Sequence, residues 1–191
     1  MAFSKSGTTI TQTGTDTNLD GLIAIAGVNS LVTNGDTTQD KYTIVQLDST
    51  LRLIIDGTLT IEPDVEQLII EKEATNPGGN APLRVNGTLN LGVAKTSGSR
   101  TIYSQGIGII FTNKAVNFYN RDVMFVSNGG TLNWNGGMIR SAATVTIGNG
   151  GILNVYDGTI FNSSDFSDNY QLRVEPNSAI NSNLINIYSL R

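Results

Sequence analysis

Carboxylates, tyrosines, lysines and hydroxyls are the only side chains here suited to chemistry, because the 191-residue chain has no Cys and no His. That removes disulfides, thiolate nucleophiles, His-based triads and zinc sites built on Cys or His. The densest run of oxygen ligands is Asp16-Thr17-Asn18-Leu19-Asp20-Gly21, with Ile23 just beyond it. Oxygens at alternate positions with a Gly for the turn form the first half of a calcium loop of the EF-hand type. The twelfth position of such a loop needs a bidentate Glu or Asp, and here it is Gly27. The preferred reading is therefore a turn cluster that starts a short helix, with Asp16 or Thr17 as its N-cap.

Glycoside cleavage needs two carboxyl groups about 5 to 9 Å apart. Asp122 and Asp157 precede strands, and Asp165 and Asp168 sit in the segment Asn162-Ser163-Ser164-Asp165-Phe166-Ser167-Asp168-Asn169. These acids do not converge in the sequence, and Asp is an ordinary turn residue. Aromatic rings could stack on sugars. Trp134 falls in a core register, whereas Phe118 and Tyr119 are adjacent in a strand, so one of the two faces outward; Tyr103, Tyr156 and Tyr170 are further surface candidates. The glycine strings Gly148-Asn149-Gly150-Gly151 and Asn135-Gly136-Gly137 lack the Lys-Ser/Thr and the helix of a phosphate loop, so they read as corners. No catalytic, cofactor-binding or metal-ligating residue is assigned, no cofactor is expected, and the chain is read as not an enzyme.

The elements that would position any site come from a degenerate repeat. Gly57-Thr58-Leu59-Thr60-Ile61 returns as Gly87-Thr88-Leu89-Asn90-Leu91, as Gly130-Thr131-Leu132-Asn133-Trp134 and as Gly151-Ile152-Leu153-Asn154-Val155. The spacings are 30, 43 and 21 residues. They read as one unit plus a loop at 76–82, about two units, and one unit. Gly137-Met138-Ile139 and Gly158-Thr159-Ile160 keep the step of 21. Alternation with period two turns Leu59/Ile61, Leu89/Leu91, Leu132/Trp134 and Leu153/Val155 inward, and leaves outward Thr and Asn to form ladders. A unit of short strands and turns has no room for a helix, so the expected fold is all-β: a right-handed parallel β-helix (β-solenoid). A β-sandwich is the main competitor.

Residues 1–40 read as an N-terminal arm and cap with a short helix within Leu19–Ala26. Residues 41–191 read as the coils, beginning with strands at Tyr42–Leu47, Leu51–Ile55, Thr58–Ile61 and Gln67–Glu71. The stretch 183–191 is strand-like without a capping signal, so the coils are expected to continue in a longer parent protein. Hydrophobic residues make up 39% and charged residues only 15%, below the usual quarter or so, which excludes a charge-rich helical bundle. The formal net charge is −4, and Lys5, Arg52, Arg84, Arg121 and Arg173 are scattered. A nucleic-acid groove, which needs clustered cations, is not expected. No apolar run reaches the roughly 18 residues of a membrane span, and the N-terminus has no signal-peptide pattern.

The opening Ser6-Gly7-Thr8-Thr9-Ile10-Thr11-Gln12-Thr13-Gly14-Thr15-Asp16-Thr17-Asn18-Leu19-Asp20-Gly21-Leu22 resembles the start of β-helical tail fibre and tailspike proteins of tailed bacteriophages. Leu53-Ile54-Ile55-Asp56-Gly57-Thr58-Leu59-Thr60-Ile61-Glu62-Pro63 extends the resemblance. It covers the N-terminal third and becomes one of style beyond it. The resemblance implies a homotrimeric virion protein located at the phage tail, extracellular after host lysis, and partnered by other tail or baseplate proteins. Bacterial surface polysaccharide would be met through the parent protein. The implied role is a rigid shaft involved in host attachment. The rivals are a polysaccharide depolymerase and a bacterial β-helical adhesin.

Overall fold

The computed structural model describes residues 2–34, 41–71, 80–97, 100–103, 106–112, 122–141, 144–156, 159–163 and 172–182. The chain opens with β1 (Phe3–Ser6), β2 (Thr9–Gln12), β3 (Thr15–Asp16) and the single-turn helix α1 (Asp20–Ile23). Next come β4 (Val28–Asn34) and β5 (Lys41–Leu47), then β6 (Arg52–Ile55), β7 (Thr58–Ile61) and β8 (Glu66–Ile70). The following circuit is β9 (Leu83–Val85), β10 (Thr88–Leu91), an excursion through β11 (Ala94–Ser97) and β12 (Arg100–Tyr103), and β13 (Ile107–Phe111). It is followed by β14 (Asp122–Val126), β15 (Thr131–Trp134) and β16 (Gly137–Ser141), then β17 (Thr144–Ile147), β18 (Ile152–Val155) and β19 (Thr159–Ser163). The last described strands are β20 (Leu172–Val174) and β21 (Ala179–Ser182).

From β6 onward the strands are dealt in rotation to three sheets. The first runs β1-β2-β6-β9-β14-β17-β20, the second β3-β7-β10-β15-β18-β21, and the third β4-β5-β8-β13-β16-β19. Among the described residues every pairing is parallel except β1–β2, β4–β5 and the excursion β11–β12. The described residues are almost all strand and turn, and their sheets are mostly parallel. In the second sheet Leu59, Leu89, Leu132 and Leu153 stand opposite one another and are buried, and so do Ile61, Leu91, Trp134 and Val155. Each such side chain removes apolar surface from water, a gain on the order of 1.5–3 kcal/mol per large residue.

The repeat is longer-lived and less uniform than its glycines suggest. Thr15-Asp16 already pairs with Thr58-Leu59, and Ala179–Ser182 continues beyond Ile152–Val155. The 43-residue gap between Gly87 and Gly130 is one circuit, not two, because β10 pairs directly with β15. The extra length goes partly into the β11–β12 hairpin, which leaves the stack and returns. The step of 21 holds for β15–β18 but not for β16–β19. There Met138 faces Ile160 and Ile139 faces Phe161, a step of 22. The corner from Val155 to Thr159 is one residue longer than that from Trp134 to Gly137, and a one-residue slip exchanges the two faces of a strand.

The N-terminal segment supplies the edge strand of each of the three sheets at one side, β1, β3 and β4. β1 and β4 lie antiparallel on the outer strands of their sheets. Phe3, Leu19 and Leu22 are buried, with Ile23, Ile25 and Val28 packed against the same core. The short helix exists, but its N-cap is Leu19, without a side-chain cap hydrogen bond, rather than Asp16 or Thr17. Asp16 is unavailable because it is already paired within β3.

Corners between the first and second sheets require close backbone approach. A Cβ on Gly87 would lie 2.1 Å from the Gly57 carbonyl oxygen, and one on Gly57 would lie 2.1 Å from that of Gly14. Replacement of Gly87 by Ala should therefore force successive circuits apart, costing about 1–3 kcal/mol as overpacking does. Chemical denaturation checks this; unchanged stability of Gly87→Ala would refute the packed-corner account.

Candidate functional site

The most structured polar site lies under the N-terminal segment. Alternation in β8 places Glu66 on the inward side with Leu68 and Ile70, so a carboxylate occupies a core position. Its Oε1 accepts the Leu19 N–H at 2.8 Å, and its Oε2 accepts the Glu62 N–H at 3.4 Å. Burial pushes the Glu66 carboxyl above the ordinary range; the two N–H donors pull it back, and the carboxylates of Asp20 and Glu62 add to the rise. Thr17, Asn18, Asp20, Thr43 and Glu62 line a shallow cleft over it.

The calcium-like motif is taken apart by this arrangement. Asp16 Oδ2 accepts from Gln12 Nε2 at 2.8 Å. Asn18 and Asp20 close a local turn, Asp20 N–H to Asn18 Oδ1 at 3.1 Å and Asn18 Nδ2 to Asp20 Oδ2 at 3.2 Å. Gly21 is small because a Cβ there would meet the Phe3 ring at 2.6 Å. At the twelfth position, Gly27 has φ +89°, and the space beside it faces the Lys5 ammonium. A cation stands where the loop would need an anion. Among the described residues, no group of three or more Asp or Glu side chains is arranged to hold a metal ion.

Of the carboxylates weighed for glycoside cleavage, Asp122 is fully buried and accepts a hydrogen bond from Thr146 Oγ1. Asp157, Asp165 and Asp168 lie outside the described residues, as do Phe118, Tyr119 and Tyr170. Trp134 is core, in register with Ile61, Leu91 and Val155, and its Nε1 donates to the Gly137 carbonyl at 3.1 Å. Tyr156 is 36% exposed.

Outward positions carry two long features. On the second sheet, amides join circuit to circuit. Asn90 Nδ2 donates to Thr60 Oγ1 at 3.1 Å, Asn133 to Asn90 Oδ1 at 2.8 Å, Asn154 to Asn133 at 2.6 Å, and Asn181 to Asn154 at 2.8 Å. On the third sheet the half-buried outward positions are mixed: Ile44, Ile69, Ile107, Ile110 and Met138 are apolar, with Gln46, Gln67 and Arg140 among them. Leu31, opposite Ile44 on β4, is 56% exposed.

No protein-family model matches this chain, and neither a curated protein nor a solved structure matches it.

Sequence reasoning missed Glu66 and Gln12. Gln12 is wholly buried: its Nε2 donates to Gly14 O, Asp16 Oδ2 and Thr58 O, and its Oε1 accepts the Gly57 N–H. Parity was the available signal, since Ile10-x-Gln12 and Glu66-x-Leu68-x-Ile70 each put a polar residue on an apolar face.

Two consequences are measurable. Glu66→Ala leaves the buried Leu19 N–H without its acceptor and should cost about 1–3 kcal/mol in denaturant melts. For pH, a carboxyl raised in the folded state binds its proton more tightly there than in the unfolded chain. Its contribution is fully present below the unfolded value and is lost as pH rises through the folded one. The stability of the native protein relative to Glu66→Gln should therefore be most favourable in acid and decline as pH rises through the upper carboxylate range. A pH-independent difference would disprove this role.

Proposed function

We propose that the three parallel sheets enclose one core as a right-handed parallel β-helix, and that the chain is a structural segment of a bacteriophage tail fibre or tailspike. In this reading three copies form a rigid shaft involved in host attachment, at the virion tail and joined to other tail or baseplate proteins. Contact with bacterial polysaccharide belongs to the parent protein, and this segment is not itself catalytic.

The observation that carries the reading is stacking in register. Leu59, Leu89, Leu132 and Leu153 repeat inside, while the amide ladder from Thr60 to Asn181 repeats outside. In such stacks each circuit is stabilised by its neighbours, which favours a stiff, elongated body. The six parallel strands of the first sheet, β2 to β20, make five steps, or about 24 Å at roughly 4.8 Å per step. Ile69 and Ile110, paired in register on the outward side of the third sheet, support self-association, since outward apolar side chains mark contact sites.

Light scattering tests the assembly directly. The mass should be three times the 20.4 kDa of one chain, and Ile69→Asp with Ile110→Asp should reduce it to one chain while the β circular-dichroism signal persists. A native mass of 20.4 kDa would overturn the trimer. Incubation with host capsule separates shaft from enzyme: newly released reducing ends would favour the depolymerase.

A further inference from the structure

The sequence contains five Asn-Gly pairs. Four have both residues described: Asn86-Gly87, Asn128-Gly129, Asn135-Gly136 and Asn149-Gly150. Such pairs lose ammonia when the glycine nitrogen attacks the asparagine side chain, because glycine offers that nitrogen no steric shelter. The reaction requires an amide N–H that is free to ionise and a carboxamide that is free to turn toward it. The four corners differ on both counts.

At Asn86 both requirements fail. The Gly87 N–H is held by Ile55 O at 2.8 Å. The Asn86 carboxamide donates to Asp56 Oδ1 at 2.7 Å and accepts from Arg84 Nε at 2.6 Å and Ser127 Oγ at 2.7 Å. At Asn128 the attacking nitrogen is held, since the Gly129 N–H donates to Gly150 O at 3.1 Å across to the next circuit. At Asn135 the carboxamide is held by Gly92 O at 3.0 Å, and Gly136 is buried away from base.

Asn149 is different. It is exposed at the second position of the turn Gly148–Gly151, which is closed by Gly151 N–H to Gly148 O at 2.8 Å with Gly150 at φ +76°. Its own backbone N–H donates to Glu175 Oε2 at 2.9 Å, which fixes the backbone before the reacting atoms. Among the described residues, neither the Asn149 carboxamide nor the Gly150 N–H has a hydrogen-bond partner.

We propose that Asn149 is a site of spontaneous deamidation in the folded protein, selected over Asn86, Asn128 and Asn135 by the hydrogen bonding of the stacked corners. Base removes the Gly150 amide proton, and the nitrogen forms a bond to the Asn149 side-chain carbonyl carbon. The bond from that carbon to Nδ2 breaks, and ammonia leaves with the proton, giving a cyclic imide. Water then adds to either imide carbonyl and opens the ring to an aspartyl or isoaspartyl residue. No oxidant or further reagent enters. The new carboxylate would stand beside Glu175, which is ion-paired to Arg173 at 3.2 Å, so charge would accumulate on that corner.

The test is peptide mapping by mass spectrometry after incubating the native protein in mildly alkaline buffer at physiological temperature. The chain unfolded in denaturant serves as reference. Unfolded, the four sites should react at similar rates. Folded, Asn149 should keep most of that rate while the other three slow by an order of magnitude or more, and Asn149→Gln should remove most of the ammonia these four sites release. Equal or faster modification at Asn86, Asn128 or Asn135 in the folded protein would overturn the proposal. Protection of Asn149 to the same degree as the others would do so as well.

Discussion

Register between neighbouring circuits is the constraint on which everything else here depends. Parallel strands lock one another through backbone hydrogen bonds on both edges, and a slip of one residue would turn the core face to water. Thr15, Thr58, Thr88, Thr131, Ile152 and Ala179 stand opposite one another although the chain between them takes 43, 30, 43, 21 and 27 residues. Length is therefore free only at the corners, while the strand that follows must always arrive with the same parity. The β11–β12 hairpin leaves the stack from such a corner, and β10 keeps its register on both sides while β13 recovers its own from Ile109 onward. Where a strand does carry an irregularity, as between Ile107 and Ile109 or between Asp122 and Met124, the pairing resumes in step within two residues.

Close stacking makes the ends and corners the expensive places. Along the described strands backbone N–H groups pair with carbonyls of neighbouring circuits, whereas at the corners the chain must find other partners. Gln12 and Glu66 answer this by turning inward, where they bond backbone groups at the corners: Gln12 reaches the Gly57 N–H and Thr58 O, and Glu66 the Leu19 and Glu62 N–H groups. A buried polar side chain is costly unless so engaged. Burial makes Glu66 hold a proton more readily than an exposed carboxyl, against the pull of its two N–H donors.

The strands were legible in the sequence because alternation is a property of single residues. Leu132-x-Trp134 announces its inward face without any knowledge of its partners, and the Trp134 register was readable for the same reason. What was not legible was anything set by the corners. Whether 43 residues make one circuit or two depends on whether Ala94–Tyr103 leaves the stack, and two short strands pairing with each other look like two strands of a coil. The step from β16 to β19 depends on one added residue at a turn, which no period in the glycines reveals. The inward Gln12 and Glu66 were visible in parity but look like ordinary surface residues by type. The Asp16–Gly21 motif erred in the opposite direction, since its residue types fit a cation while β3 pairing pulls its first member away.

The amide ladder ties successive circuits together on the outside of the second sheet. Every bond in it points the same way, from Asn181 through Asn154, Asn133 and Asn90 to Thr60, so each carboxamide in the middle both donates and accepts. Polarisation along such a chain strengthens its members together. The two sides of the body then divide the work. On the second sheet the polar side chains are engaged with one another and hold circuits together; on the third, Ile69, Ile110 and Met138 have no such partners within their ladder. Substitutions in the ladder should weaken the stack one interface at a time, because each circuit contacts only its neighbours.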